Sequence, residues 1–181
     1  IKEFLGKPII AYSIRAAIES NLFDKVIVST DSEAIKAISL NHGAEVPFLR
    51  SEKNSDDFAT TIDVILEVIK QFEEIGVKVD EACCIYATAP FVRSEELTTA
   101  YSLLVEEAYD VVFPVLPYSF PIQRAIKLDS EKKIQMFFPD ERQTRSQDLE
   151  KSYHDSGQFY WFKVESVIEK ATLWTDNTGV I

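Results

Sequence analysis

Residues 82–93 read ACCIYATAPFVR, and the fold turns on this stretch. Its first six residues are compact and apolar, suited to a buried strand, and Thr88-Ala89-Pro90 then breaks the run into a turn. A helical pattern begins at Ser94, with Glu95 and Glu96 in its first turn. Open α/β sheets place ligands in short polar loops of this kind, just beyond the carboxyl ends of their strands. Most other candidate functional residues of the chain also follow strand-like runs.

Moving outward toward the N-terminus, residues 59–74 carry the clearest helical stripe, with Ile62, Ile65, Leu66, Ile69 and Phe72 on one face and Gly76 to close it. The polar loop RSEKNSDDF (50–58) precedes it. Strands are expected at 25–30 and 46–49. Helices are expected at 8–19, with Ile10, Ile14, Ala17 and Ile18 inward, and at 33–41, with Ile35, Ile38 and Leu40 inward. On the C-terminal side, a helix over 94–107 leads to a strand at 110–116, where Pro114 removes a ladder donor and marks an edge or a bulge. This alternation predicts a three-layer α/β domain: a mostly parallel sheet with helices on both faces and right-handed crossovers.

After Pro117 the rhythm changes. Residues 124–128 and 134–138 read as a hairpin around 129–133, within an excursion spanning 118–145. The hairpin carries Met136, Phe137 and Phe138, apolar surface suited to a homodimer arm. A strand at 158–162 and a short helix at 163–171 then return to the main pattern.

The 181 residues suffice for one sizeable domain, and 46% hydrophobic with 27% charged residues describes a globular chain. A formal charge of −11 repels polyanions, which argues against nucleic-acid or anionic-membrane partners. It leaves room for a small anion held by a few local arginines. No run reaches membrane-spanning length and no secretory leader is visible, so the expected location is the cytoplasm. Adjacent Cys83 and Cys84 would face opposite sides of one strand, as buried fillers in a reducing compartment. The chain opens at Ile1 and closes on TDNTGVI in mid-pattern, so the working protein is expected to extend beyond one or both ends.

Asp31 directly follows KVIVST. It is either a helix cap or a carboxylate holding a cation or a substrate hydroxyl. Arg50 with Ser55, Asp56 and Asp57 is either a solvated loop in which Asp57 caps the next helix, or a site for a nucleotide base or ribose. Arg93, Gln123, Arg124, Arg142, Arg145 and Gln147 lie in or beside loops. Arginine forks suit carboxylate and phosphate, and a surface salt-bridge network would use the same residues. His154 beside Asp155 is the one suggestively placed histidine. Past Gly157, Tyr160 and Trp161 either wall a sugar or base or belong to the core. No nucleophile elbow, zinc set, GxGxxG, Walker loop or HExxH is present, so hydride transfer and P-loop chemistry are not indicated.

Taken together, GKPIIAYSIRAA, KVIVSTDSEAI, GAEVPFLRSEKNSDDFATT, CCIYATAPFVR and YHDSGQFYWF resemble the cytidylyltransferases that activate nine-carbon and eight-carbon sugar acids. The match runs through nearly the whole chain, and HDSGQFYWF and SFPIQRA are its most specific parts. The resemblance implies a Rossmann-like nucleotidyltransferase fold, usually dimeric, in which a sugar-acid hydroxyl attacks the α-phosphate of CTP with Mg²⁺ required. It implies a metal and catalytic role for Asp31 and a cytidine-reading role for Arg50, Ser55, Asp56 and Asp57. Tyr86, Ala87 and Thr88 would face the sugar acid, as would the segment holding His154, Asp155, Gln158 and Tyr160. The segment from Arg142 to Gln147, with Arg145 and Gln147, would meet its carboxylate or acylamino groups, and Gln123 and Arg124 would also bind the substrate. The sialic acid enzymes carry glutamine and proline where this chain has Tyr86 and Ala87, and an NGAIY-like segment in place of DSGQFYW. Those departures favour a different nonulosonate, and pseudaminic acid is the expected substrate. The alternatives are sialic, legionaminic or 3-deoxy-octulosonic acid, or a non-catalytic binding homodimer. An RGGSK-like phosphate loop would precede Ile1, and a DID-type metal motif would follow Ile181.

Overall fold

The computed structural model describes residues 1–181. The chain forms two compact units, one of Ile1–Pro114 with Gly157–Ile181 and one of Val115–Ser156.

In the larger unit, Glu3–Phe4 (β1) and Lys7–Pro8 (β2) form a minimal hairpin. Leu5 and Gly6 at its turn both have positive φ, 46° and 77°, as a two-residue type I′ turn demands. Helices follow at Ile10–Ser20 (α1), Glu33–Asn41 (α2) and Thr61–Glu74 (α3), then strand Glu81–Ile85 (β3), helix Ser94–Glu106 (α4) and strand Val111–Phe113 (β4). The smaller unit holds strands Val115–Pro117 (β5), Ile126–Leu128 (β6), Ile134–Met136 (β7) and Tyr153–Asp155 (β8). Strand Phe159–Lys163 (β9), helix Val164–Lys170 (α5) and strand Thr178–Val180 (β10) complete the larger unit.

The α/β class is as expected, but the sheet is mixed in direction. Its order is β10-β4-β9-β3; β10 runs parallel to β4, and β9 runs antiparallel to both β4 and β3. The cause is the excursion: a chain that leaves the sheet after β4 and re-enters at the same end must run back. The expected strands at 25–30 and 46–49 lie extended and parallel, yet they pair only through the isolated bridges Ile27↔Glu45 and Thr30↔Leu49. Pro47 lies between those bridges and has no N–H to continue a ladder.

The main core forms where Ala16 of α1 and Leu97, Ala100 and Leu104 of α4 pack with Val112, Phe159 and Trp161. Leu97, Leu104 and Phe159 are wholly buried. Phe23 stacks on Trp161 at 4.9 Å, and the indole N–H donates to the Leu97 carbonyl at 3.1 Å. Helix α3 buries Ile65, Ile69 and Phe72 as its stripe predicts. Helix α2 departs from its stripe: Leu40 is exposed and Ser39 is buried, its hydroxyl donating to the Ile35 carbonyl at 2.8 Å.

In the smaller unit β5 pairs antiparallel with β8, and β6 with β7. Pro114 divides the expected strand at 110–116 into β4 and β5. The hairpin is shorter than expected by two residues at each outer end. Asp129 Oδ1 closes its turn by accepting from the Glu131 and Lys133 amides, both at 2.9 Å.

Candidate functional site

The turn after β3 is built by backbone groups and one buried serine. The Tyr86 amide donates to the Gln158 carbonyl at 2.9 Å. The Tyr86 carbonyl accepts from Ser13 Oγ at 2.9 Å and from the Ala89 amide at 3.1 Å. Ser13 thus ties α1 to the turn, which leaves Ala87 and Thr88 exposed above buried Ala89. The Tyr86 ring lies edge-on to Tyr160, centroids 5.7 Å apart, and its hydroxyl is 3.1 Å from Thr61 Oγ1 in the first turn of α3. Gln158 Oε1 is buried with no hydrogen-bond partner, an acceptor available to a ligand donor.

The polar loop before α3 is anchored at both ends. The Arg50 amide donates to the Thr30 carbonyl at 2.9 Å; its Nε donates to Ser29 Oγ at 3.1 Å and an Nη to the Ser29 carbonyl at 2.5 Å. The guanidinium is therefore held at the end of the 25–30 segment. It also draws the Cys84 thiol downward, but burial dominates and leaves that thiol pushed up to about 11. Glu67 of α3 accepts from the Ser51 amide and hydroxyl, both at 2.8 Å, and from the Asn54 side-chain amide. Partial burial pushes the Glu67 carboxyl up, but those bonds and the Arg50 charge outweigh it and hold the group below its ordinary value. Ser55 Oγ donates to the Ser51 carbonyl at 2.7 Å, and Asp56 Oδ1 accepts from the Phe58 and Ala59 amides at 2.9 and 2.8 Å.

Both capping readings need correction. Ser32, one residue after Asp31, caps α2 by accepting from the Ile35 amide at 3.4 Å. Thr60 caps α3 in a reciprocal box with Asp63. Asp31 and Asp57 are both exposed, with no cap to make. No group of three or more His, Cys, Asp or Glu side chains gathers as a metal cage. Magnesium commonly takes one or two carboxylates plus substrate phosphates, and exposed Asp31 fits that donor set.

The smaller unit holds the other nominated residues. Arg124 donates to the Glu141, Arg142 and Thr144 carbonyls, so its fork supports its own loop instead of standing ready for a substrate carboxylate. Gln123 donates through Nε2 to the Glu150 carbonyl at 3.1 Å, and its Oε1 is buried without a partner. Arg145 and Gln147 are exposed around a short 3-10 turn, Ser146–Asp148. His154 Nδ1 donates to the Asp155 carbonyl at 2.9 Å, and its ring lies edge-on to Tyr118 at 5.0 Å. Asp155 is half-buried.

Within the larger unit the structure joins Tyr86 to Gln158 and Tyr160, and Arg50 to the segment before Asp31. Ser13, Ser29, Thr61 and Glu67 are additions that the sequence reading missed. Ser13 had a signal, a small polar residue on the apolar stripe of α1; a glutamate in mid-helix has none.

The chain matches the cytidylyltransferase family over residues 1–169. It is 36% identical over 180 residues to a pseudaminic acid cytidylyltransferase of Campylobacter jejuni, covering 99% of this chain and 78% of that protein. N-acylneuraminate cytidylyltransferase A of Danio rerio is 36% identical over 174 residues, 96% of this chain and 39% of that one. CMP-N,N'-diacetyllegionaminic acid synthase of Legionella pneumophila is 28% identical over 182 residues, covering 96% and 74%. The solved structure of CMP:2-keto-3-deoxy-manno-octonic acid synthetase complexed with CTP aligns with a TM-score of 0.66 at 15% identity, over 97% of this chain and 71% of that one. At that identity the likeness concerns the fold alone.

Proposed function

The chain belongs to the cytidylyltransferase family, and on that premise we propose that it joins CMP from CTP to pseudaminic acid and releases pyrophosphate. The sugar-acid hydroxyl oxygen forms a bond to the α-phosphorus and loses its proton. The bond between the α-phosphorus and the bridging oxygen breaks, and pyrophosphate leaves with the electron pair.

One observation carries the reading. Helix α3 anchors both loops in question, the 50–57 loop through Glu67 and the Tyr86 turn through Thr61. A rigid element that fixes both binding regions limits the motion of two reactants, which is the main protein contribution to phosphoryl transfer. Arg50, Ser55, Asp56 and Asp57 face the nucleotide in this reading. Tyr86, Ala87, Thr88, Gln158 and Tyr160 face the sugar acid, with Gln158 Oε1 as acceptor for a sugar hydroxyl or amide. Asp31 would hold Mg²⁺ together with the triphosphate, and the ion when bound would neutralise charge growing on the phosphate oxygens.

For the smaller unit, taken by itself, Arg145, Gln147, His154 and Asp155 are the proposed sugar-acid contacts. Its exposed Ile126, Ile134 and Phe137 are the proposed homodimer arm. No helix is long and apolar enough to cross a membrane, and we place the reaction in the cytoplasm. A second reading keeps the chemistry and changes the sugar acid, because the N-acylneuraminate relative is also 36% identical.

The test is pyrophosphate release by the full-length protein with CTP and Mg²⁺, offered pseudaminic, sialic, legionaminic and 3-deoxy-octulosonic acids in turn. Release with pseudaminic acid alone is expected. Release with another sugar acid alone would replace the sugar, and silence with all four would leave a binding protein.

A further inference from the structure

We propose that Glu67 is a positioning residue for the nucleotide, holding the 50–57 loop in the shape that presents Arg50. This rests on the cytidylyltransferase reading. Glu67 lies in the middle of α3, where an exposed carboxylate ordinarily meets water or a lysine one turn away. Here both of its oxygens point back onto the loop. Oε1 accepts from the Ser51 amide and Oε2 from the Ser51 hydroxyl, each at 2.8 Å, and Oε2 also accepts from Asn54.

Ser51 is the hub of that loop. Its carbonyl accepts from the Asn54 amide at 3.1 Å and from Ser55 Oγ at 2.7 Å, so the turn leading to Asp56 is built on it. Ser51 also follows Arg50 directly, and a fixed Ser51 amide fixes the peptide plane leaving Arg50. The Arg50 side chain can then keep both bonds to Ser29. Without Glu67, the Ser51 amide, the Ser51 hydroxyl and the Asn54 amide lose their shared acceptor. A polar loop in water has many other shapes, and a ligand would have to select the competent one, weakening its apparent affinity by that fraction. Glu67 touches no substrate in this account; it acts through Ser51.

The experiment uses the full-length protein and three variants: Glu67→Ala, Ser51→Ala and Glu67→Gln. CTP affinity is read by calorimetry, the two KM values and kcat by pyrophosphate release, and the Ser51 amide by hydrogen exchange. Glu67→Ala should weaken CTP binding and raise its KM about tenfold, with kcat and the sugar-acid KM within about twofold. Ser51→Ala should cost about threefold in CTP affinity, since the amide bond remains. Glu67→Gln keeps one oxygen for the Ser51 amide but turns its amide NH2 toward the Asn54 NH2, and should cost about threefold, with affinity recovered on adding Asn54→Asp. Ser51 amide exchange should quicken in Glu67→Ala and slow again with CTP.

CTP affinity unchanged in a folded Glu67→Ala protein would overturn the proposal alone. So would kcat and both KM values changing together. If the alanine variant does not fold, the glutamine variant and its rescue decide by the same criteria. An unsubstituted protein that binds no CTP would overturn the cytidylyltransferase reading, and this proposal with it.

Discussion

Strand β9 shows two chemistries on its two faces. Toward α1 and α4 it sends Phe159 and Trp161 into the main core, where the indole N–H is engaged by the Leu97 carbonyl and Tyr101, packed on Trp161, sends its hydroxyl to Glu81. On the other face Tyr160 meets the Tyr86 ring, whose hydroxyl reaches Thr61. Gln158, in the bend just before β9, keeps a buried oxygen without a partner. Complete satisfaction marks the first face as the source of stability. Polar capacity left over beside the second is what the proposed sugar-acid site would use.

The sharpest way to break that contrast is Phe159→Ala, which should cost about 3–5 kcal/mol in chemical denaturation because the residue is wholly buried. A cost below about 1 kcal/mol would mean that this face is not the core. Asp31→Asn should lower turnover about a hundredfold with an unchanged denaturation midpoint, since Ser32 makes the cap. Retained turnover with lost stability would return Asp31 to a capping role.

A third test probes a charge outside both faces. Asp110 accepts from Lys170 at 2.6 Å and from Ser166 at 3.0 Å, tying the start of β4 to α5. The Lys170 bond, with help from Ser166 and Asn177 against partial burial, holds the carboxyl below its ordinary value. Its contribution is therefore complete above the unfolded-chain value and fades as pH falls through the folded one. Asp110→Asn should cost about 1–2 kcal/mol at neutral pH, because Lys170 is 41% exposed and water screens its share. That difference should close below about pH 4 in denaturation curves taken across the acid range.

The smallest expected effect comes from Tyr86→Phe, which removes only the hydroxyl and should cost about 0.5–1.5 kcal/mol of stability. Tyr86→Gln should alter sugar-acid preference more than CTP affinity. Unchanged preference would take Tyr86 out of the sugar pocket and weaken the contrast between the faces.

Much of the fold was legible because it is local. The stripe of α3, the strand-turn-helix at 82–93 and the break at Pro114 all follow from residue spacing and backbone chemistry. The site was legible as segments and not as contacts. Asp31 and Ser32 are equally good caps on paper, and one residue of helix phase gave the cap to Ser32. Arg124 reads in the sequence as a ligand-binding fork, but in the folded chain the carbonyls of residues 141, 142 and 144 surround it.

The sequence by itself determined the α/β class, the sites of the helices and the strand ends where ligands belong, because period and turn chemistry act over a few residues. Only the tertiary structure decided that β9 enters between β3 and β4 in the reverse direction, and that Glu67 and Thr61 reach from one helix to two different loops. Those outcomes depend on which distant segments meet. A hydrogen bond between residues 51 and 67, or 61 and 86, leaves no period in the chain.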